Sequence, residues 1–359
     1  MSTALPEPIG WEDAVELLAS QSGAVLLVGA TDVGKSTLAV AAANAALRGG
    51  RRAAILDADL GQGEVSPPGT LGIVRLEEPV ASLAEIKPRA MAFVGDTSAY
   101  GHLLSVVQGT RRLLTHSLDR GDDVVYVDTS GLVHGRMAEK LKLTKLTVLN
   151  PSLVVVVERQ GELERLARLL AGQTTAPVVR VRSATEVRTK SPVYRRVQRA
   201  NHFRRHFEHA RPLELSAGQL QVLDGWVYTG TALPARQLRT LSAGLGVPVP
   251  HGEVTDDGVY LCVVGKPGRE AMNVLQDEFG RKRVTLTPAS AFRNLLVGLI
   301  GEGGYLVDLG LLQAINFERA FFSVLTSARS VSEVGQLHFG RLRATIAGAE
   351  LGRLRPGDL

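Results

Sequence analysis

The feature that most constrains this chain is Gly29-Ala30-Thr31-Asp32-Val33-Gly34-Lys35-Ser36, which has the spacing G-x-x-x-x-G-K-[ST]. It follows the apolar run AVLLV and leads into the helix-compatible run TLAVAAANAALR, the strand and helix that such a loop requires on its two sides. The glycines let the backbone curl until successive N–H groups and the helix N-terminus face an anion. Lys35 can then reach the β- and γ-phosphates of a nucleoside triphosphate and Ser36 can bind magnesium. Thr31, Asp32, Val33 and Thr37 complete a cradle from Gly29 to Thr37. The loop leaves open whether the phosphoryl group goes to water, a small molecule or a polymer.

Around the loop, short β-prone runs alternate with helical stretches from about residue 24 to 182. Strands are expected at Ala24–Val28, Ala53–Asp57, Ala92–Gly95, Val124–Asp128, Leu153–Val157 and Val178–Val181, with helices over Thr37–Arg48, His102–Arg120 and Glu162–Leu170. This alternation implies an α/β fold, a P-loop NTPase-type doubly wound and mostly parallel sheet. From Arg180 the chain becomes arginine-rich, and Tyr194–Phe207 suits a helix with Arg195 and Arg199 four residues apart on one face. Beyond it, glycine-punctuated β-prone segments such as Gly258–Val264, Asn294–Ile300, Leu306–Ile315, Ala320–Leu325 and Gln336–Ile346 imply a C-terminal β-rich domain. The expected division is a short segment 1–20, a P-loop domain 21–212 with a lid near 188–209, and a β-rich domain 213–359.

The whole-chain properties bound the function classes. With 359 residues, 45% of them hydrophobic, the chain exceeds what one core usually organises. Its net charge of +5 suits a polyanionic partner without proving one. The single cysteine, Cys262, excludes an intramolecular disulfide and fits a reducing, cytoplasmic setting. The first residues lack a signal peptide's basic start and apolar run, and no apolar stretch reaches membrane-spanning length, so a soluble protein with no membrane partner is expected.

After the second expected strand, Asp57-Ala58-Asp59-Leu60-Gly61-Gln62-Gly63 puts two carboxylates at the sheet edge where open α/β folds bind ligands. Alternate residues of an extended segment point the same way, so one carboxylate can support the magnesium shell while the other takes a proton from an attacking hydroxyl. Two other readings stay open on these residues alone: a strand-ending turn, and a magnesium-dependent ATPase of the partitioning or metal-insertion type. Asp128, ending the apolar run VVYV, suits magnesium coordination or a strand-ending turn equally. Thr129 and Gly131 suit a γ-phosphate sensor or a tight turn. His102, His116 and His134 lack a diagnostic partner and are expected in packing or surface roles, and Trp226, Tyr228 and Tyr260 are expected to pack a core.

The run from Asp57 through Gln62 to Pro68-Gly69-Thr70 resembles the DxDxGQ…PGT segment of the polynucleotide 5'-hydroxyl kinases related to the pre-mRNA cleavage factor kinase and the pre-ribosomal RNA processing kinase. The loop form Thr31–Thr37 is similar to theirs, and Phe93–Ser98, Asp128–Gly131, Arg195–Arg199, Asn294–Leu299 and Phe339–Arg343 follow in the family's order. The resemblance covers most of the chain. It implies transfer of the γ-phosphoryl of ATP or GTP, with Mg2+, to the 5'-hydroxyl end of RNA and/or DNA, and it names no protein partner. It further implies that Asp59 is the base, that Lys35 and Ser36 handle donor phosphate and magnesium with Asp57 and Asp128, and that Gln62, Thr97, Ser98, Thr129 and Gly131 face substrate. Arg195 and Arg199 become lid residues over the transferring group.

Two departures qualify this. Larger eukaryotic relatives carry a β-rich domain before the P-loop, whereas about twenty residues precede the first strand here, so loose recognition of the donor base is expected. Many relatives have an aromatic residue after T-x-G where this chain has Leu132, which removes a base-stacking contact worth about 1–3 kcal/mol. The alternative reading is a non-kinase P-loop ATPase or GTPase that serves as a nucleotide-regulated RNA-processing assembly factor.

Overall fold

A computed structural model describes residues 5–184, 190–355 and 357–359, so Arg188 lies outside the described residues. The chain divides into two compact units, Met1–Arg199 and Ala200–Leu359.

In the first unit, helix α1 (Trp11–Ala19) precedes strand β1 (Gly23–Gly29), which runs into the phosphate-loop segment and helix α2 (Lys35–Arg48). Then follow β2 (Ala53–Ala58), β3 (Thr70–Arg75), β4 (Ala90–Phe93), α3 (Leu103–Asp119), β5 (Val124–Thr129), α4 (Arg136–Leu149), β6 (Leu153–Glu158), α5 (Glu164–Ala171) and β7 (Val178–Arg182). The seven strands form one sheet in the order β4-β3-β2-β5-β1-β6-β7. The pairs β2/β5, β5/β1, β1/β6 and β6/β7 are parallel, while β3 pairs antiparallel with both β2 and β4. The apolar runs seen in the sequence are thus the buried parallel strands: all six residues of β2, β5 and β6 are buried, as expected when helices cover both faces of a sheet.

Four elements of the first unit differ from the sequence reading. The edge strand lies at Ala90–Phe93 rather than Ala92–Gly95, because Gly95 takes φ 81° and turns the chain away. Strand β3, which begins inside the Pro-Gly-Thr motif, and helix α1 were not expected. Helix α4 was also unexpected, since two of the residues on its buried stripe are Lys142 and Lys145, which interrupt the apolar period.

Helix α6 (Pro192–His206) starts in the first unit and ends in the second. The second unit continues with β8 (Arg211–Ser216), β9 (Gln221–Leu223), β10 (Thr231–Ala232), α7 (Ala235–Leu245), β11 (His251–Thr255), β12 (Gly258–Val263), α8 (Ala271–Phe279), β13 (Val284–Pro288), β14 (Leu295–Ile300), β15 (Leu306–Asn316), β16 (Phe321–Thr326), β17 (Gln336–Ala344) and β18 (Glu350–Arg353). A seven-stranded sheet runs β18-β17-β14-β15-β16-β8 with β9 beside β17, and a four-stranded sheet runs β10-β11-β12-β13. Helices α7 and α8 pack with the smaller sheet through Leu241, Leu245 and Leu275. Trp226 and Tyr260 do pack a core: their rings stack 5.6 Å apart, and the Trp226 indole donates to the Thr287 hydroxyl at 3.1 Å. Cys262 is buried in the same core, and burial pushes its thiol up to about 12. No described helix is long and apolar enough to cross a membrane.

Candidate active site

Parallel registry assembles the site from three strand ends. Within the sheet, Leu27 of β1 pairs with Asp128 of β5, and Asp128 pairs with Asp57 of β2. The loop after β1 therefore leaves the sheet beside the two acids, at the C-terminal edges of adjacent strands.

Between β1 and α2 the backbone curls through positive φ at Asp32 (57°) and Gly34 (92°). Gly29 has no room for a side chain, since a Cβ would come within 2.6 Å of the Val157 carbonyl oxygen. Val33 points into the core and is 1% exposed. The Lys35 ammonium donates to the Ala30 carbonyl at 2.8 Å, and the Ser36 hydroxyl donates to Asp128 Oδ2. Asp128 Oδ1 is buried without a hydrogen-bond partner among the described residues. Burial pushes the Asp128 carboxyl up, against the pull of the Lys35 ammonium and the Ser36 hydroxyl.

The two acids of the Asp57–Gly63 segment are held differently. Asp57 accepts backbone N–H groups from Asp59 at 3.1 Å, Glu64 at 2.7 Å and Val65 at 3.2 Å, so it organises the loop that follows. Burial, then the charges of Asp128 and Asp59, raise its carboxyl to about 7. Asp59 spends only Oδ1 on the backbone, accepting from Gly61 and Gln62 at 3.1 Å each.

Two cavities flank Asp59. One, of about 310 Å³, is lined by Gly34, Lys35, Ser36, Thr37, Asp57 and Asp128, together with Asp32, Thr129 and Lys190. The other, of about 250 Å³, is more apolar and is lined by Ser98, Ala99, Tyr100, Ser130, Gly131 and Leu132. Thr31, Asp59 and Gln62 line both. The structure therefore brings together most of the residues expected from sequence. Gly29, Val33, Thr97, Arg195 and Arg199 line neither cavity. Thr97 instead sets its backbone carbonyl against Gly61, where a Cβ would come within 2.8 Å of it. Ser98 is positioned by its N–H, which donates to Asp96 Oδ1 at 3.1 Å, and His102 Nε2 stands 3.7 Å from Asp96 Oδ2.

The Thr129 hydroxyl is engaged within the protein, donating to the Leu27 carbonyl and accepting from the Lys142 ammonium, both at 2.7 Å. Gly131 lies so close to the phosphate loop that a Cβ there would be 2.5 Å from the Thr31 nitrogen. Gly131→Ala must separate the two segments. The expected result is a turnover loss of about a hundredfold, the scale of an ångström-sized misplacement, with weakened nucleotide binding. Single-turnover kinetics and nucleotide titration check this, and wild-type values in both would show that the close approach is dispensable.

On α6, Arg195 reaches the phosphate loop: its Nη2 lies 2.6 Å from Asp32 Oδ2, which also accepts the Lys190 N–H at 2.9 Å. Arg159 donates to the Asp32 carbonyl at 2.7 Å. Arg199 is half-buried one helical turn further on. The sequence reading missed Lys142, Lys145 and Lys190. For the first two a signal existed, namely cationic residues on the apolar stripe of a helix.

A search against protein families matches residues 29–209 to the mRNA cleavage and polyadenylation factor CLP1 P-loop. A polyribonucleotide 5'-hydroxyl-kinase of Thermococcus kodakarensis is 31% identical over 358 residues, covering 97% of each chain. One from Methanocaldococcus jannaschii is 28% identical over 332 residues, covering 92% of this chain and 89% of the other. Among solved structures, a chain of the wild-type Clp1p–Pcf11p complex superposes with a TM-score of 0.59 at 12% identity, covering 93% of this chain and 78% of that one, which places the fold. On this full-length similarity, the chain belongs to the mRNA cleavage and polyadenylation factor CLP1 P-loop family.

Proposed function

We propose that this chain is a polynucleotide 5'-hydroxyl kinase, which transfers the γ-phosphoryl group of ATP or GTP to the 5'-hydroxyl of RNA and/or DNA. The observation that carries this reading is the position of Asp59, shared by the wall of the phosphate-loop cavity and the wall of the apolar one. A simple nucleoside triphosphatase needs only the first cavity. A kinase needs a base at the boundary of two, with the donor in one and the acceptor hydroxyl in the other.

In this mechanism the 5'-hydroxyl enters the apolar cavity beside Ser98 and Gly131. Asp59 takes its proton as the new O–P bond forms in line with the breaking bond to the nucleoside diphosphate. Lys35 turns from the Ala30 carbonyl to the donor phosphates. Asp57 holds the Asp59 loop rigid through its backbone contacts, which supports positioning more directly than metal coordination. The donor set Ser36 and Asp128 fits Mg2+, because Asp128 Oδ1 is a buried oxygen in want of a partner and because magnesium is usually held by one or two carboxylates plus substrate phosphates. When bound, Mg2+ would neutralise charge developing on the donor phosphates. A cytoplasmic setting is proposed alongside, with the inert, buried Cys262 in its favour.

Purified protein incubated with γ-labelled ATP or GTP and 5'-hydroxyl RNA or DNA oligonucleotides tests the reading. Label on at least one oligonucleotide is expected, and its absence from all four combinations would overturn it. Arg195 and Arg199 are proposed as lid residues whose guanidinium groups meet the equatorial oxygens in the transition state. Arg195→Ala and Arg199→Ala should then lower the rate at saturating acceptor by about a hundredfold or more. A defect confined to the KM for oligonucleotide and tracking ionic strength would make them a docking surface instead.

A further inference from the structure

Among the described residues, the apolar cavity beside Asp59 has a single aromatic side chain on its wall, Tyr100, and the phosphate-loop cavity has none. Other large rings of this chain are taken up by packing, as with Tyr126 at 0% and Trp226 at 3% exposure. Tyr100 is 56% exposed. An exposed ring on an open surface is ordinary, but this one stands on the wall of a cavity that also contains the candidate base.

The backbone that carries the ring is fixed. The Asp96 carboxylate accepts the Ser98 N–H at 3.1 Å, the Ser98 hydroxyl accepts the Tyr100 N–H at 3.2 Å, and the Ala99 carbonyl accepts the His102 N–H at 3.0 Å. Asp96 and Ala99 are buried, and Gly101 then turns the chain with φ 79°. A tyrosine held in this way offers a flat contact face at little cost in side-chain entropy.

The rest of the lining restricts what that face meets. Leu60, Val106 and Leu132 make the wall apolar, and no lysine or arginine among the described residues lines it, whereas the Asp59 carboxylate does. Such a wall repels phosphate and suits an uncharged group. The volume of about 250 Å³ lies below the roughly 300–1,000 Å³ of sites for drug-sized ligands. It therefore suits a single nucleoside and not a run of bases.

We propose that Tyr100 is the stacking platform for the 5'-terminal base of the acceptor strand, seating the terminal nucleoside so that its 5'-hydroxyl meets Asp59. This rests on the kinase reading and deepens it by assigning a base subsite and the ring that forms it. Stacking uses the π-face that every base has, so the subsite senses the presence of a base and not its identity.

A 5'-hydroxyl oligonucleotide with 2-aminopurine as its terminal base reports stacking by loss of fluorescence, without any need for turnover. Binding to the wild type and to Tyr100→Phe should quench it equally. Tyr100→Leu keeps apolar bulk without a ring and should leave it bright at saturation. In Tyr100→Leu the KM for a 5'-hydroxyl strand should rise by about tenfold or more, the scale of one lost stacking contact. An abasic 5' end should raise the wild-type KM to a similar extent and should add nothing further in Tyr100→Leu. No quenching by the wild type, equal quenching by Tyr100→Leu, or an abasic penalty that persists in Tyr100→Leu would overturn the proposal. The kinase reading is judged separately, by whether the wild type labels any 5'-hydroxyl strand.

Discussion

Lys35→Ala is expected to abolish phosphoryl transfer while leaving the fold in place. The Lys35 side chain is 7% exposed, and its ammonium is parked on the Ala30 carbonyl at the wall of the donor cavity. Its proposed role is to meet negative charge that grows on the donor as the bond to the γ-phosphoryl breaks, and a group aimed at such charge is worth at least about 10²–10³ in turnover. Against this, the stability cost is small. The α2 contacts that bury Leu38, Ala39, Ala42, Ala43 and Ala46 do not involve the ammonium, and Ala30, whose carbonyl it releases, is only partly buried. The measurements are turnover with a 5'-hydroxyl oligonucleotide and the thermal midpoint of the same preparation. A folded Lys35→Ala with wild-type turnover would remove the phosphate loop from the mechanism.

Asp59→Asn separates chemistry from binding. The asparagine carbonyl can still accept the Gly61 and Gln62 N–H groups that Asp59 Oδ1 accepts, so the loop and its neighbouring cavities should persist. What is lost is a carboxylate able to receive the proton of the acceptor hydroxyl, a function worth about 10²–10⁴ in rate. Donor affinity should remain within a few-fold of wild type while transfer collapses. Asp57→Asn should behave differently. Its Oδ atoms accept three backbone N–H groups, and an amide nitrogen placed among those donors would face at least one of them, so nucleotide and acceptor binding should deteriorate together and the thermal midpoint should fall. A fully active Asp59→Asn beside an Asp57→Asn that retains binding but lacks transfer would mean that the roles of the two acids are exchanged.

The sequence displayed the parallel strands because burial on both faces makes them continuous apolar runs, and it displayed the phosphate loop because its chemistry is local in the chain. The edge of the sheet was harder to see. Strand β3 starts at Thr70 within a motif rich in proline and glycine, residues that ordinarily signal a turn. In the second unit, α7 and α8 are short helices between strands of the smaller sheet, and the β-prone segments around them dominated the pattern. Helix α4 was hidden by Lys142 and Lys145, buried lysines that interrupt its apolar period.

The candidate site divides the same way. Residue types at fixed spacing pointed to Lys35, Ser36, Asp59 and Asp128, but nothing local distinguishes Asp57 as a loop organiser from Asp59 as the acid between two cavities, because that depends on where the backbone N–H groups of residues 59, 64 and 65 point. The pairing of Arg195 with Asp32 spans 163 positions and follows from the fold alone. Leu132 lines the apolar cavity as expected of the segment after Gly131, yet the aromatic residue on that wall is Tyr100, 56% exposed, which the motif comparison did not single out.

The central claim, that Asp59 stands between a donor and an acceptor, is tested most directly by the coupling of nucleotide cleavage to transfer. One RNA oligonucleotide is prepared with a 5'-hydroxyl and, separately, with a 5'-phosphate, and nucleoside diphosphate formation is measured alongside oligonucleotide phosphorylation over the first turnovers. The account predicts that the two products form in equal amounts with the 5'-hydroxyl strand, that the label is released by phosphatase, and that both fall to background with the 5'-phosphate strand. Nucleotide cleavage at the same rate with either strand, and no label on the RNA, would contradict it.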